Sequence, residues 1–111
     1  MKRTLKDIEY QKSTEELAKF AKALSHPTRI AILKYLEDRS CCFTGDLVEI
    51  FPLAQSTISQ HLKELKIAGL IQGELLPPKI NYCINKENWE RAKQLFYELF
   101  DMNFENNTCE I

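Results

Sequence analysis

Glycine is scarce in this chain, with three residues in 111, at positions 45, 69 and 73. That excludes a glycine-rich loop of the kind that cradles phosphates in nucleotide-using enzymes. No apolar run approaches the roughly 20 residues of a membrane-spanning helix. The opening Met1-Lys2-Arg3-Thr4-Leu5-Lys6-Asp7 lacks the apolar centre of a secretory signal, so a cytoplasmic protein without a membrane partner is expected. An excess of one charge is also missing. The 15 basic and 16 acidic side chains leave a formal net charge of -1, which excludes a uniformly basic coat. A nucleic-acid partner must therefore be met by a local patch.

Four cysteines are present, at 41, 42, 83 and 109. Without a secretory leader they argue against a disulfide framework, and the adjacent Cys41 and Cys42 are poorly placed to bond to each other. Free thiols, a redox pair and metal ligands all stay open. A thiol oxidoreductase normally spaces its two cysteines two residues apart, which this pair does not. With no paired catalytic carboxylates and no histidine-assisted nucleophile either, an enzyme is not expected.

What the chain does contain is an ordinary globular composition, 44% hydrophobic and 28% charged, in a length that suits one domain over 1–111. Residues 1–36 carry eight basic and four acidic side chains, whereas residues 86–111 carry three and six. A first helix is predicted over Ser13–Leu24, with Ser13 and Glu16 spaced as a capping box and an upstream extension reaching Leu5 and Ile8. Pro27 ends it and opens a second helix to Leu36. Cys41-Cys42-Phe43 reads as a short strand. Thr44 is the expected N-cap of a third helix closed by Pro52. A fourth helix runs from Gln55 to a stop at Gly69, and strands Leu70–Leu75 and Lys79–Ile84 flank a Pro77-Pro78 tip. Ile80, Tyr82 and Ile84 should share the buried face of that hairpin. Asn85 caps a fifth helix to Asp101.

The fourth helix carries the chemistry. At 100° per residue, Ile58, Leu62 and Leu65 form a core stripe while Ser56, Gln60 and Lys63 point away, with Ser59 on the flank. Short hydroxyls allow close approach to phosphates, and glutamine can read the N6 and N7 edge of adenine. Preceded by a short helix and followed by a hairpin with Lys79 at its tip, this segment forms a helix-turn-helix with a wing, aimed at double-stranded DNA. The expected class is mostly α with a small β-hairpin wing, a winged helix-turn-helix in the order α-α-α-α-β-β-α. The terminal helices, within 1–24 and 86–102, carry more apolar surface than one small domain needs: Leu17, Phe20 and Leu24 on the first, Trp89, Leu95, Phe96, Leu99 and Phe100 on the last. They are expected to form a homodimer interface, with 103–111 as a polar tail.

His26-Pro27-Thr28-Arg29-Ile30-Ala31-Ile32-Leu33, Gln55-Ser56-Thr57-Ile58-Ser59-Gln60-His61-Leu62-Lys63-Glu64-Leu65 and Ala68-Gly69-Leu70-Ile71 together resemble the ArsR/SmtB family of bacterial metal-sensing repressors. The resemblance covers about Ala21 to Phe100. It implies a dimeric repressor that leaves a palindromic operator when a metal or metalloid binds. It also implies DNA contacts by Gln55, Ser56, Thr57, Ser59, Gln60 and His61, to which the residue pattern adds Lys63 and Lys79. A core role for His61 is an equal expectation, because it sits near the inner side of the helix. The family's Cys-x-Cys-Asp site falls on Phe43 and Gly45 here, and its histidine-containing site on the last helix has no histidine between Asn88 and Asp101. The thiol ligands expected instead are Cys41, Cys42 and Cys109, holding arsenite, antimonite or another thiophilic ion, with no cofactor needed for folding. Cys83 is expected to be structural. Two alternatives keep the DNA binding, one with a thiol redox switch and one with no small ligand; a winged helix that binds only protein is a third.

Overall fold

Residues 9–39 and 41–105 are described by the computed structural model. Pro27 decides the first break. Its ring suits the opening position of a helix, and the preceding histidine supplies the cap, its Nδ1 accepting from the Thr28 backbone N–H at 3.0 Å. Helix α1 (Lys12–Ala23) therefore ends before the proline and α2 (Pro27–Arg39) begins on it. Strand β1 (Cys41–Phe43) leads into α3 (Thr44–Ile50), a short bend follows, and α4 (Gln55–Ala68) runs to Gly69. Strands β2 (Ile71–Leu76) and β3 (Lys79–Ile84) form the hairpin, and α5 (Lys86–Phe100) closes the order. Among the described residues no helix is long and apolar enough to cross a membrane.

Gly69 stops α4 for a reason specific to its backbone. It sits at φ 86°, a left-handed conformation, and a Cβ there would lie 2.8 Å from Asn88 Nδ2. The same Asn88 nitrogen donates to the Gly69 carbonyl at 2.9 Å, tying the end of α4 to α5. Asn85 caps α5 as expected, its side chain accepting from the Asn88 N–H at 3.0 Å.

The core gathers one face of each helix. Ile58, Leu62 and Leu65 of α4 are fully buried, together with Ile32 and Leu36 of α2, Leu47 of α3, and Leu70 and Ile71 at the hairpin root. Phe20 and Ala23 of α1 and Ala92 and Leu95 of α5 join them. The two terminal helices also meet through an ion pair. Arg91 donates three hydrogen bonds to Glu16 from its Nε and Nη2, the shortest at 3.0 Å, which hold the Glu16 carboxyl below its ordinary pKa.

Several expectations are corrected. Ser13 does not cap α1; the helix starts one residue earlier, with Gln11 at the N-cap and no side-chain cap bond. The extension to Leu5 and Ile8 and residues 106–111 lie outside the described residues. Thr44 is already helical, and Phe43 is the boundary residue, its N–H held by Asp46 Oδ2 at 3.0 Å. The hairpin is part of a three-stranded sheet in the order β1-β3-β2, both pairings antiparallel. Ile80 does not share the buried face with Tyr82 and Ile84. It is exposed, because the outer half of the hairpin projects beyond the body it would pack on. Finally, the expectation of no disulfide framework does not hold at Cys83, because strand pairing brings a second cysteine to it. Cys83 stands opposite Cys41 across the β1–β3 pair and is disulfide-bonded to it.

On α5 the inward stripe is satisfied, yet Tyr97, Leu99 and Phe100 stay exposed, followed by Met102 and Phe104. One helix end thus presents a run of large apolar side chains to solvent.

Candidate nucleic-acid interface

Helix α4 has the division of faces that its sequence requires. Gln55, Ser56, Thr57, Ser59, Gln60 and Lys63 are all exposed, whereas Ile58, His61, Leu62, Leu65 and Ala68 are buried. Ala54 precedes the helix and provides no side-chain cap, so the first backbone N–H groups of α4 are available to an anion, with the helix dipole behind them. Gln60 Nε2 donates to Glu64 Oε1 at 3.3 Å, which orients its amide along the outer face. The face is shallow and polar, dominated by hydroxyl and amide groups. Such a surface can approach a phosphate backbone closely and form hydrogen bonds with base edges.

The wing completes a concave surface. A cleft of about 430 Å³ runs between the start of α4 and the hairpin tip, bounded by Gln55 and Ser59 on one side and by Lys79, Ile80 and Tyr82 on the other. Phe43, Thr44 and Asp46 at the start of α3 also line it. The Lys79 ammonium lies 5.4 Å from the Phe43 ring centre, a cation–π contact that holds the charge at the edge of the cleft. Gln55 and Ser59 of α4 thus share this cleft with Lys79, while Ser56, Thr57, Gln60 and Lys63 are exposed on the helix outside its lining.

His61 is the exception among the residues grouped as DNA contacts. It is 8% exposed and turned into the molecule, away from Ser56 and Gln60. Arg29 Nη1 lies 3.3 Å from its Nδ1, and a guanidinium has only donors, so Nδ1 accepts. The same guanidinium donates to the Ala23 carbonyl at 2.7 Å and to the Lys22 carbonyl and Ser25 hydroxyl at 3.3 Å. His26 packs on His61 with ring centres 4.4 Å apart. This node fastens α4 to the junction of α1 and α2. Arg29 was not singled out from the sequence, because its partners are backbone carbonyls and a ring 32 residues away.

Burial lowers the His61 pKa from its ordinary 6.5, and the neighbouring His26 and Arg29 charges lower it further. An unfolded chain therefore takes up this proton more readily than the folded one. The stability from a neutral His61 is complete above pH 6.5 and is lost as the pH falls through the folded value. Thermal melts between pH 8 and pH 5.5 should show a plateau and then a falling Tm, with a shallower fall in His61→Gln. Identical pH slopes for the two proteins would remove His61 from the account.

Cys41 and Cys42, two of the three expected thiol ligands, do not converge. Cys41 and Cys42 are neighbours on a strand and so point to opposite faces. Cys42 is 3% exposed in the core, and burial, with the Asp46 carboxylate as a smaller cause, pushes its thiol up to about 11. It remains a protonated, inert thiol at neutral pH. Cys41 faces the other way, toward Cys83, with their Cα atoms 4.0 Å apart. Cys109 lies outside the described residues. Among those residues no group of three histidine, cysteine or acidic side chains is placed to hold a metal ion.

Comparison with known proteins places this geometry. Residues 26–72 match the family model described as bacterial regulatory protein, arsR family. The chain is 38% identical over 77 residues to the HTH-type transcriptional regulator YgaV of Escherichia coli, covering 69% of this chain and 78% of that protein. To the transcriptional repressor PagR of Bacillus anthracis it is 36% identical over 83 residues, 75% of this chain and 82% of the repressor. The structure of an ArsR-like transcriptional regulator from Rhodococcus sp. RHA1 superimposes with a TM-score of 0.69 at 25% identity, over 79% of this chain and 82% of its own.

Proposed function

This chain belongs to the ArsR/SmtB family of winged helix-turn-helix transcriptional regulators, and on that premise we propose that it binds a palindromic operator as a homodimer in the cytoplasm and is released through Cys41 and Cys83. It is a DNA-binding regulator and not an enzyme. The observation that carries the reading is the exposed polar face of α4 beside Lys79 of the wing, fixed to the body by Gly69, Asn88 and the Arg29–His61 contact. In a two-fold pair, two such helices enter successive major grooves about 34 Å apart.

The donor set does not favour release by a metalloid. Arsenite would need sulfurs converging on one point, and Cys41 and Cys42 diverge. A dithiol switch fits better. In a reducing compartment protein disulfides are uncommon, and those that form are usually transient or redox-sensing. Hydrogen peroxide takes two electrons and two protons from the Cys41 and Cys83 thiols, its O–O bond breaks as the S–S bond forms, and two waters are released. That bond joins β1, which continues directly into α3 and the turn before α4, to β3, which carries the wing. Oxidation fixes the wing against the recognition element, and the freer reduced form settles along the groove.

Fluorescence anisotropy on a duplex from upstream of the protein's own gene tests both parts. Reduced protein should bind, and peroxide should weaken binding by about fivefold or more, the size of an ordinary coupling between sites. Cys41→Ser should bind in both conditions. Equal affinity before and after oxidation, or a Cys41→Ser variant that still responds, would overturn the switch. No binding at low salt would overturn the DNA reading itself.

A further inference from the structure

Away from the outer face of α4 and from the thiol pair, the end of α1, α2, the end of β3 and the start of α5 surround a cavity of about 550 Å³. Its apolar walls are Leu24, Ile30, Leu33, Leu36, Ile84 and Trp89. Leu33 and Leu36 are buried at its base, while Ile30 remains 41% exposed at its edge. The volume lies well within the range of small-molecule sites, which are mostly apolar with a few polar groups. Three charged side chains complete the lining. Lys34 and Glu37 come from α2 and Lys86 from the start of α5, and all three are exposed. Neither lysine forms an ion pair among the described residues.

We propose that this cavity binds an amphipathic organic anion, with an aliphatic or aromatic body against the leucine, isoleucine and tryptophan walls and a carboxylate or equivalent anionic head at Lys34 and Lys86. A cation would meet two ammonium groups and a single carboxylate, Glu37. A small hydrophilic anion would leave six apolar walls in water. A neutral hydrocarbon would gain nothing from the lysines, whose charged hydrogen bonds are among the stronger that a binding site can offer. The amphipathic anion uses both parts, and its body covers Ile30. The site is distinct from the α4 surface, and its occupancy can be measured without DNA. Ile84 also ends the strand that begins at Lys79, so an occupant touches the element that carries the wing.

Trp89 is the sole tryptophan of the chain, which places a fluorescent probe in the cavity wall. Titrating the full-length protein with decanoate at constant ionic strength should give a saturable change in Trp89 emission. The uncharged 1-decanol should bind about tenfold more weakly or worse. Lys34→Gln combined with Lys86→Gln should reduce decanoate to the affinity of 1-decanol and leave 1-decanol unchanged; both lysines are exposed, so circular dichroism should be unaltered. Three results would overturn the proposal: no saturable response to decanoate, equal affinity for acid and alcohol, or a double variant that binds decanoate like the parent. A fourth is Trp89 emission that follows protein dilution and ignores decanoate, which would assign the cavity to a second copy of the chain.

Discussion

Replacing Ser56 and Gln60 together by glutamate should reduce operator affinity by about 100-fold or more while leaving the fold intact. Both positions are exposed and four residues apart, so they share one face of α4. Glutamate is an acceptable helix former at an exposed site. The structural cost is confined to Gln60, which now donates to Glu64 at 3.3 Å and as a glutamate would face a like charge there. Such pairs cost only about 0.2–0.5 kcal/mol. The functional cost is larger. A good base contact is worth about 1–3 kcal/mol, and each new carboxylate also opposes the phosphates. A loss of about 1.4 kcal/mol at each position already multiplies to 100-fold. Anisotropy at fixed salt measures the loss. Full binding by the Ser56→Glu, Gln60→Glu protein would show that α4 does not read DNA.

That surface was legible in the sequence because its signal is local. Fourteen residues of period 3.6, with Ile58, Leu62 and Leu65 on one side and hydroxyls and amides on the other, specify both the buried and the exposed faces of α4. Gly69 as the stop and Asn85 as the next cap are also local, and both hold. Apart from the N-caps placed on Ser13 and Thr44, which shift by one or two residues, the features that sequence reading missed depend on contacts between distant segments. Strand β1 has three residues, too few for alternation to declare itself, and its partner lies 42 residues further on. Once that pairing forms, the pleat puts Cys41 beside Cys83 and turns Cys42 into the core, a separation that adjacency in sequence conceals. His61 lay on the boundary between the two readings of α4. It was resolved inward by Arg29, whose role depends on the carbonyls that the end of α1 leaves unpaired. Asn88 likewise looks like an ordinary polar residue of α5 until the end of α4 is brought against it.

Replacing Leu99 and Phe100 by aspartate should convert the protein from dimer to monomer and weaken binding to a full operator by about 100- to 10,000-fold. The premise is the run of apolar side chains at the end of α5. Phe100 is 76% and Tyr97 68% exposed in the single chain, and Leu99, Met102 and Phe104 are exposed around them. Soluble monomers rarely leave such a patch in water, and the inner stripe of the helix already fills its own core through Ala92 and Leu95. A second copy placed by a two-fold axis would cover the patch with the same patch. Two linked recognition helices then bind as one unit, the second at a high effective concentration, so losing the link costs the square-like advantage of bivalency, about 10²–10⁴. Both residues are exposed, and the protomer loses chiefly the stacking of Phe100 on Phe96, ring centres 6.0 Å apart, which costs about 0.5–1.5 kcal/mol. Sedimentation velocity should show the parent as a dimer and the variant as a monomer. Half-site duplexes should bind the two proteins alike, with the difference appearing only on the full palindrome. A variant that remains dimeric would move the interface elsewhere, and a parent that is monomeric yet occupies a full operator tightly would remove the two-fold arrangement from the mechanism.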